Sequence, residues 1–385
     1  MKIFNMVLFG WPYLPKDAPV GTPGSYPLSN AYFDPVRGNA LLQQELDRIT
    51  LSDELGLDGF TCQEHHGAGA FCAMVPSTHL MAAAVSQRTK RLKVAVTGTC
   101  IPLHHHLAVA EEVAMLDHLS GGRFIWGALR GFATEYLSYN VNPAESQGRF
   151  REGFALILKA LATEGPFDFD GQYYRVRNYN IWPKPLQKPY PKIWMAANSL
   201  DSLDFAVKNR TYVATPFVGL ERTRSTYEAY HQLAQAQGTA VPEDFDNMFA
   251  AVCMIYVGES NKKAGQEAEA HIQEHFFRGL GSLDVATTSL VPGHMSVRGV
   301  RGWLETVTSR DTGRAMGYSV DEGIANGTVI CGSPQSVVAQ IKRQREEGKR
   351  GTLLAMFQFG SLPGELATQS LRLFASEVLP KIRAV

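Results

Sequence analysis

The stretch Val96–Gly131, VTGTCIPLHHHLAVAEEVAMLDHLSGGRFIWGALRG, carries the reading of the fold. A β-rich run, Leu92–Thr97, leads into it, and a helical pattern over about 107–119 follows a short turn. Ser120-Gly121-Gly122-Arg123 then stops the helix on glycine, as C-terminal caps prefer, and Arg123–Ala128 is strand-like again. Strand, helix and strand in so short a span make a βαβ unit, with parallel strands and a right-handed crossover.

Outward from this unit the same alternation fills the chain. The other strand candidates are Lys2–Phe9, Gly59–Gln63, Lys192–Ala196, Tyr212–Thr215, Ala251–Val257 and Thr352–Phe357. Helical patterns fall at about 39–56, 77–88, 146–163, 200–209, 222–237, 260–276, 334–347 and 364–380. Ser333-Pro334 supplies an N-cap and a proline at the first helical position. Eight strands in this pattern favour a closed (β/α)8 TIM-like α/β barrel over an open doubly wound sheet. At 385 residues the chain exceeds an average domain. Barrels of this type run from roughly 250 residues to beyond 400, so 1–385 reads as one barrel domain. Two segments break the alternation, 10–38 and 277–326. Long connections after strands lie on the catalytic face, which makes both candidate lids; decoration of the outer wall is the plain alternative.

Composition narrows the function. Thirty-seven basic residues cancel thirty-seven acidic ones, and a neutral surface argues against nucleic acid or an anionic membrane as partner. Five scattered cysteines (Cys62, Cys72, Cys100, Cys253, Cys331) with no CxxC read as reduced thiols of a cytoplasmic protein. Met1 leads straight into a strand, leaving no signal-peptide pattern, and no apolar run approaches the roughly 20 residues that span a bilayer.

Four constellations could carry chemistry. Gln63-Glu64-His65-His66 ends the second strand. Adjacent histidines diverge and HExxH spacing is absent, so a metal site is weak; a histidine at a barrel mouth can move protons, or simply pack. His104-His105-His106 sits at a strand-to-helix turn and reads as turn and helix packing rather than metal. Arg130-Gly131, at the end of the fourth strand, could grip a phosphate, or form a surface salt bridge. Ala197-Asn198-Ser199-Leu200-Asp201-Ser202 opens a helix. Its serines are N-caps first, but such a helix end also offers N–H groups to an anion. There is no Rossmann GxGxxG, no Walker loop and no GxSxG.

Taken in order, QEHH (Gln63–His66), Val96–Gly131 and PKIWMAANSLDSLDFAVKN (Pro191–Asn209) resemble the bacterial-luciferase-like flavin monooxygenases over roughly 1–276 and 327–385. The resemblance implies reduced FMN bound at the C-terminal mouth, supplied by a separate flavin reductase. It implies reaction with O2 to a flavin hydroperoxide that oxidises a small organic substrate. By position, His65 falls on the histidine on which catalysis depends, and Glu64 on the acidic residue close to the flavin. Thr97-Gly98 falls where members often have a non-proline cis peptide beneath the ring. Arg130 falls on the phosphate-binding arginine, and Ala197, Asn198, Ser199 and Ser202 on the rest of the phosphate site. No metal is implied, and a homodimer is. Leu129 replaces the cysteine of true luciferase, which counts against light emission. The aromatic content of the two excursions (Trp11, Tyr13, Tyr26, Tyr32, Phe33; His294, Trp303) points to an aromatic or apolar substrate. Two other readings stand beside this one: a deazaflavin-dependent oxidoreductase on the same barrel, and a non-catalytic flavin-binding subunit.

Overall fold

The computed structural model describes residues 1–19, 28–67, 74–197, 199–276, 291, 293–294, 297 and 319–383. Twelve strands lie among them: β1 (Lys2–Val7), β2 (Gly59–Cys62), β3 (Lys93–Val96), β4 (Thr99–Cys100), β5 (Phe124–Leu129), β6 (Phe167–Asp170), β7 (Arg175–Tyr179), β8 (Ile193–Ala196), β9 (Tyr212–Thr215), β10 (Ala250–Val257), β11 (Val329–Gly332) and β12 (Thr352–Met356). Eight of them close a parallel barrel, in the order β1-β2-β3-β5-β8-β9-β10-β12 and back to β1. These eight are the strands expected from the sequence, β9 with the same bounds and the others shifted or trimmed by a residue or two. All of β10 is buried, as are β2, β9 and β12. Such continuous apolar runs are what a parallel sheet covered on both faces requires.

Helices α1 (Pro35–Glu54), α2 (Thr78–Arg88), α3 (His106–Leu119), α4 (Ala133–Ser138), α5 (Ser146–Ala162), α6 (Leu200–Lys208), α7 (Leu220–Gln237), α8 (Phe245–Met248), α9 (Asn261–Glu274), α10 (Val320–Asn326), α11 (Pro334–Glu346) and α12 (Gly364–Leu373) fill the connections. None among the described residues is long and apolar enough to cross a membrane.

The structure corrects the sequence reading in four places. The first helix starts at Pro35, not near 39, because Asp34 caps the N–H groups of Val36 and Arg37. The end of the 277–326 segment is helical: Ser319 and Glu322 form a reciprocal capping box that starts α10. A polar antiparallel hairpin, β6–β7, was not expected, and its turn is gripped by Glu152, whose carboxylate accepts from the N–H groups of Gln172, Tyr173 and Tyr174 at 2.7–2.9 Å. Finally, β11 extends the barrel wall along the C-terminal half of β10.

Two features set the height and spacing of the mouth. At the foot of β5 the Arg123 guanidinium donates to the carbonyls of Ser86, Thr89, Leu92 and Ser120 and to the Thr89 hydroxyl, at 2.7–3.1 Å. That fastens α2, the start of β3 and the end of α3 to one point. At the top, β3 and β5 come so close that a Cβ on Gly98 would lie 2.3 Å from the Gly127 backbone, and one on Gly127 2.1 Å from the Val96 carbonyl oxygen. Only glycine fits at either position.

Candidate active site

β2 ends at Cys62, so Gln63–His66 is a loop, and Glu64, His65 and His66 each find their own partners. Glu64 and His65 are buried, at 2% and 4% exposure. His65 Nδ1 lies 3.2 Å from Glu135 Oε1, and its ring stacks on Phe132 with centroids 5.0 Å apart. Glu135 belongs to α4, directly after Arg130-Gly131. It also accepts from the backbone N–H groups of His66 (3.0 Å) and Phe132 (2.8 Å). A buried carboxylate against Nδ1 fixes the imidazole as the Nδ1–H tautomer and sets its orientation.

The neighbouring acid makes a second cluster. Glu64 Oε1 accepts from His104 Nε2 (2.7 Å) and meets His66 Nε2 (2.9 Å), while Oε2 takes the N–H of Cys100 (3.2 Å). Tyr139 extends the chain outward, its hydroxyl 2.8 Å from His66 Nδ1. Burial by itself would raise the Glu64 pKa, but the His104 and His66 hydrogen bonds outweigh it and hold the carboxyl at about 2. Burial lowers the His104 pKa, and the Glu64 bond and charge more than compensate, so it ends raised. The reading of His104–His106 as packing therefore holds for His106, buried on the Tyr174 ring at 4.0 Å between centroids, and fails for His104.

The floor between these groups is the end of β3. The Thr97–Gly98 peptide is cis, as the resemblance implied, and Thr97 Oγ1 is 3.0 Å from Thr61 Oγ1. On the opposite side β5 and β8 run in register, Ala128 beside Met195, which brings Arg130 and Ala197 out at neighbouring strand ends. Arg130 is half-buried, and its guanidinium donates to the His294 carbonyl at 3.0 Å. Among the described residues it forms no ion pair, so the salt-bridge reading is not what the structure shows. Ser199 caps α6 reciprocally with Ser202, the Oγ atoms 2.9 Å apart. The plain N-cap reading of both serines is thus realised, and Asn198 lies outside the described residues.

The sequence model of a family described as "luciferase-like monooxygenase" matches residues 29–350. The chain belongs to that family. It is thereby an oxidoreductase of a family of flavin-dependent monooxygenases. Among its relatives, limonene 1,2-monooxygenase of Rhodococcus erythropolis is 25% identical over 89% of this chain and 82% of its own. Among solved structures, the oxygenating constituent of 3,6-diketocamphane monooxygenase from Pseudomonas putida, in complex with FMN, superposes with a TM-score of 0.71 at 18% identity over 99% of both chains. An F420-dependent secondary alcohol dehydrogenase shares the barrel too, with a TM-score of 0.64 at 15% identity over 89% of this chain and 95% of that one. These structural likenesses speak for the fold and leave the coenzyme to the site itself.

Within this luciferase-like mouth the sequence reading missed Glu135 and His104. A signal for Glu135 existed: an acidic residue one helical turn past Arg130-Gly131, in a segment rich in aromatics. His104 gave none, since which of three consecutive histidines turns inward depends on the backbone of the Ile101–Leu103 turn.

Proposed function

We propose that the chain binds reduced FMN at the C-terminal mouth and uses it with O2 to oxygenate a small apolar organic molecule. The observation that carries this is Arg130, a half-buried cation at the mouth with no carboxylate partner among the described residues, next to the start of α6. A phosphate there would take the Arg130 guanidinium together with the N–H groups of the helix start and the hydroxyls of Ser199 and Ser202. Ala197 and Asn198 shape the same corner. Thr97-Gly98 and Glu64 would bound the ring system, and the cofactor, when bound, supplies the electrons and the activation of O2.

The chain's own work is proton handling and exclusion of water. Glu135 holds His65 by Nδ1, so Nε2 is the atom that gives or takes a proton beside the reacting centre. Glu64, held as a carboxylate by His104 and His66, keeps a negative charge beside it. The described ends of the 10–38 excursion are built to stay together: Trp11 Nε1 donates to the Tyr32 carbonyl at 2.9 Å and its ring packs on Phe33 at 4.7 Å. We read this excursion as a cover that keeps water out; most of 277–326, with Trp303, and the tip with Tyr26 lie outside the described residues. We further read the chain as one barrel domain that works as a cytoplasmic homodimer beside a separate flavin reductase.

Rapid mixing of the protein, loaded anaerobically with reduced FMN, with oxygenated buffer tests the reading. Reoxidation slower than that of free reduced FMN, restored to the free rate in His65→Ala, supports it. Reoxidation at the free rate in the wild type, with tight binding of reduced F420 instead, replaces it by the deazaflavin reading.

A further inference from the structure

We propose that His294, carried on the 277–326 excursion, is a further ligand of the cofactor phosphate and completes with Arg130 an anion site that reduced riboflavin would leave empty. The inference rests on the FMN reading and adds to it a residue from outside the barrel wall.

The His294 turn is pressed onto the segment that follows β5. Its N–H donates to the Val291 carbonyl at 3.1 Å, and its own carbonyl accepts from Arg130 Nη1 at 3.0 Å. A Cβ on the preceding Gly293 would fall 2.6 Å from the Ala144 Cβ, so the turn sits directly against the Pro143–Glu145 turn. The His294 ring lies 5.7 Å from that of Tyr136, whose hydroxyl donates to the Arg130 carbonyl. His294 is 8% exposed, yet its Nδ1 has no hydrogen-bond partner among the described residues. A buried imidazole nitrogen with nothing to bond is costly, and its neighbourhood shows what it suits. Burial and the Arg130 charge push its pKa down to about 4. Glu135, the acid of the adjoining helix, is occupied elsewhere: Oε1 faces His65 and the His66 N–H, and Oε2 takes the Phe132 N–H. The Arg130 guanidinium, bonded to the His294 main chain, and an imidazole with an unpartnered nitrogen on that same turn, neither with a carboxylate partner among the described residues, form an anion site. A phosphate dianion would accept from both. Its arrival would also tie the turn that carries His294 to the cofactor.

Anaerobic titrations of the full chain with reduced FMN and with reduced riboflavin test this, with inorganic phosphate as competitor. His294→Ala should weaken reduced FMN about tenfold, the size of one lost hydrogen bond to a charged group, and leave reduced riboflavin unchanged. His294→Asn keeps a donor close to the Nδ1 position and should restore most of the loss. Phosphate should displace reduced FMN from the wild type at lower concentration than from His294→Ala. Equal weakening of FMN and riboflavin, or no change in either, overturns the role of His294 while leaving the FMN reading of the site intact. A wild type that binds both flavins equally removes the phosphate site altogether, and the FMN reading with it.

Discussion

At the foot of β5 Arg123 donates to four main-chain carbonyls and a threonine hydroxyl, while at its top Arg130 donates, among the described residues, to a single carbonyl from a distant turn. Both are arginines beside the same strand, and both are half-buried. The first has its donors spent on neighbours that fold with it. The second has donors in hand, at the end of the barrel where catalytic loops gather. Satisfied donors mark structure, and unspent ones at the mouth mark a place for a ligand.

The difference should appear in separate measurements. Arg123→Ala strips the hydrogen bonds from four carbonyls at once and should cost about 3 kcal/mol or more of stability in urea unfolding; Arg130→Ala should cost less than about 1 kcal/mol. Equal losses would erase the distinction. Gly98→Ala and Gly127→Ala drive a Cβ into backbone, and each should cost roughly 3 kcal/mol, whereas Gly121→Ala, in open space at φ +62°, should cost about 1 kcal/mol through backbone strain alone.

Activity separates the two acids. Glu135→Gln frees the orientation of His65 and should lower turnover about tenfold, with reduced FMN affinity changed by less than about threefold. A large loss of affinity with normal turnover would place Glu135 in binding instead.

The smallest effect is on pH. Glu64 is lowered to about 2, so its contribution to stability is whole above the unfolded carboxyl pKa of about 4.3 and fades as pH falls towards 2. His104 is raised, so its contribution is whole below about 6.5, its unfolded value, and fades as pH rises through its folded one. Stability from this pair should be greatest between about pH 4.5 and 6.5, and Glu64→Gln should flatten both limbs of a urea-midpoint profile.

The barrel was legible because its strands are short apolar runs bounded by glycine and capped helices, as in Ser120–Arg123. The hairpin β6–β7 was also written in the chain, as aromatic alternation around Asp170-Gly171, but its polar faces gave it no core signature. β11 is four residues long and flanks a wall already complete, so alternation did not demand it. At the candidate site, Glu64, His65 and Arg130 stood out at strand ends, and their roles, like the place of Thr97-Gly98, were implied by the family resemblance. Glu135, His104 and the part proposed for His294 gave no such signal, because they come from contacts across 70, 40 and 164 residues of chain, which no local pattern encodes.

Anaerobic titration with reduced FMN, comparing wild type, Arg130→Ala and Arg123→Ala at a temperature where all three are folded, is the most direct test of the account. The account predicts saturable binding that weakens about a hundredfold in Arg130→Ala, the worth of a two-pronged arginine–phosphate contact, and stays near wild type in Arg123→Ala. Absent binding, or binding indifferent to Arg130, would contradict it.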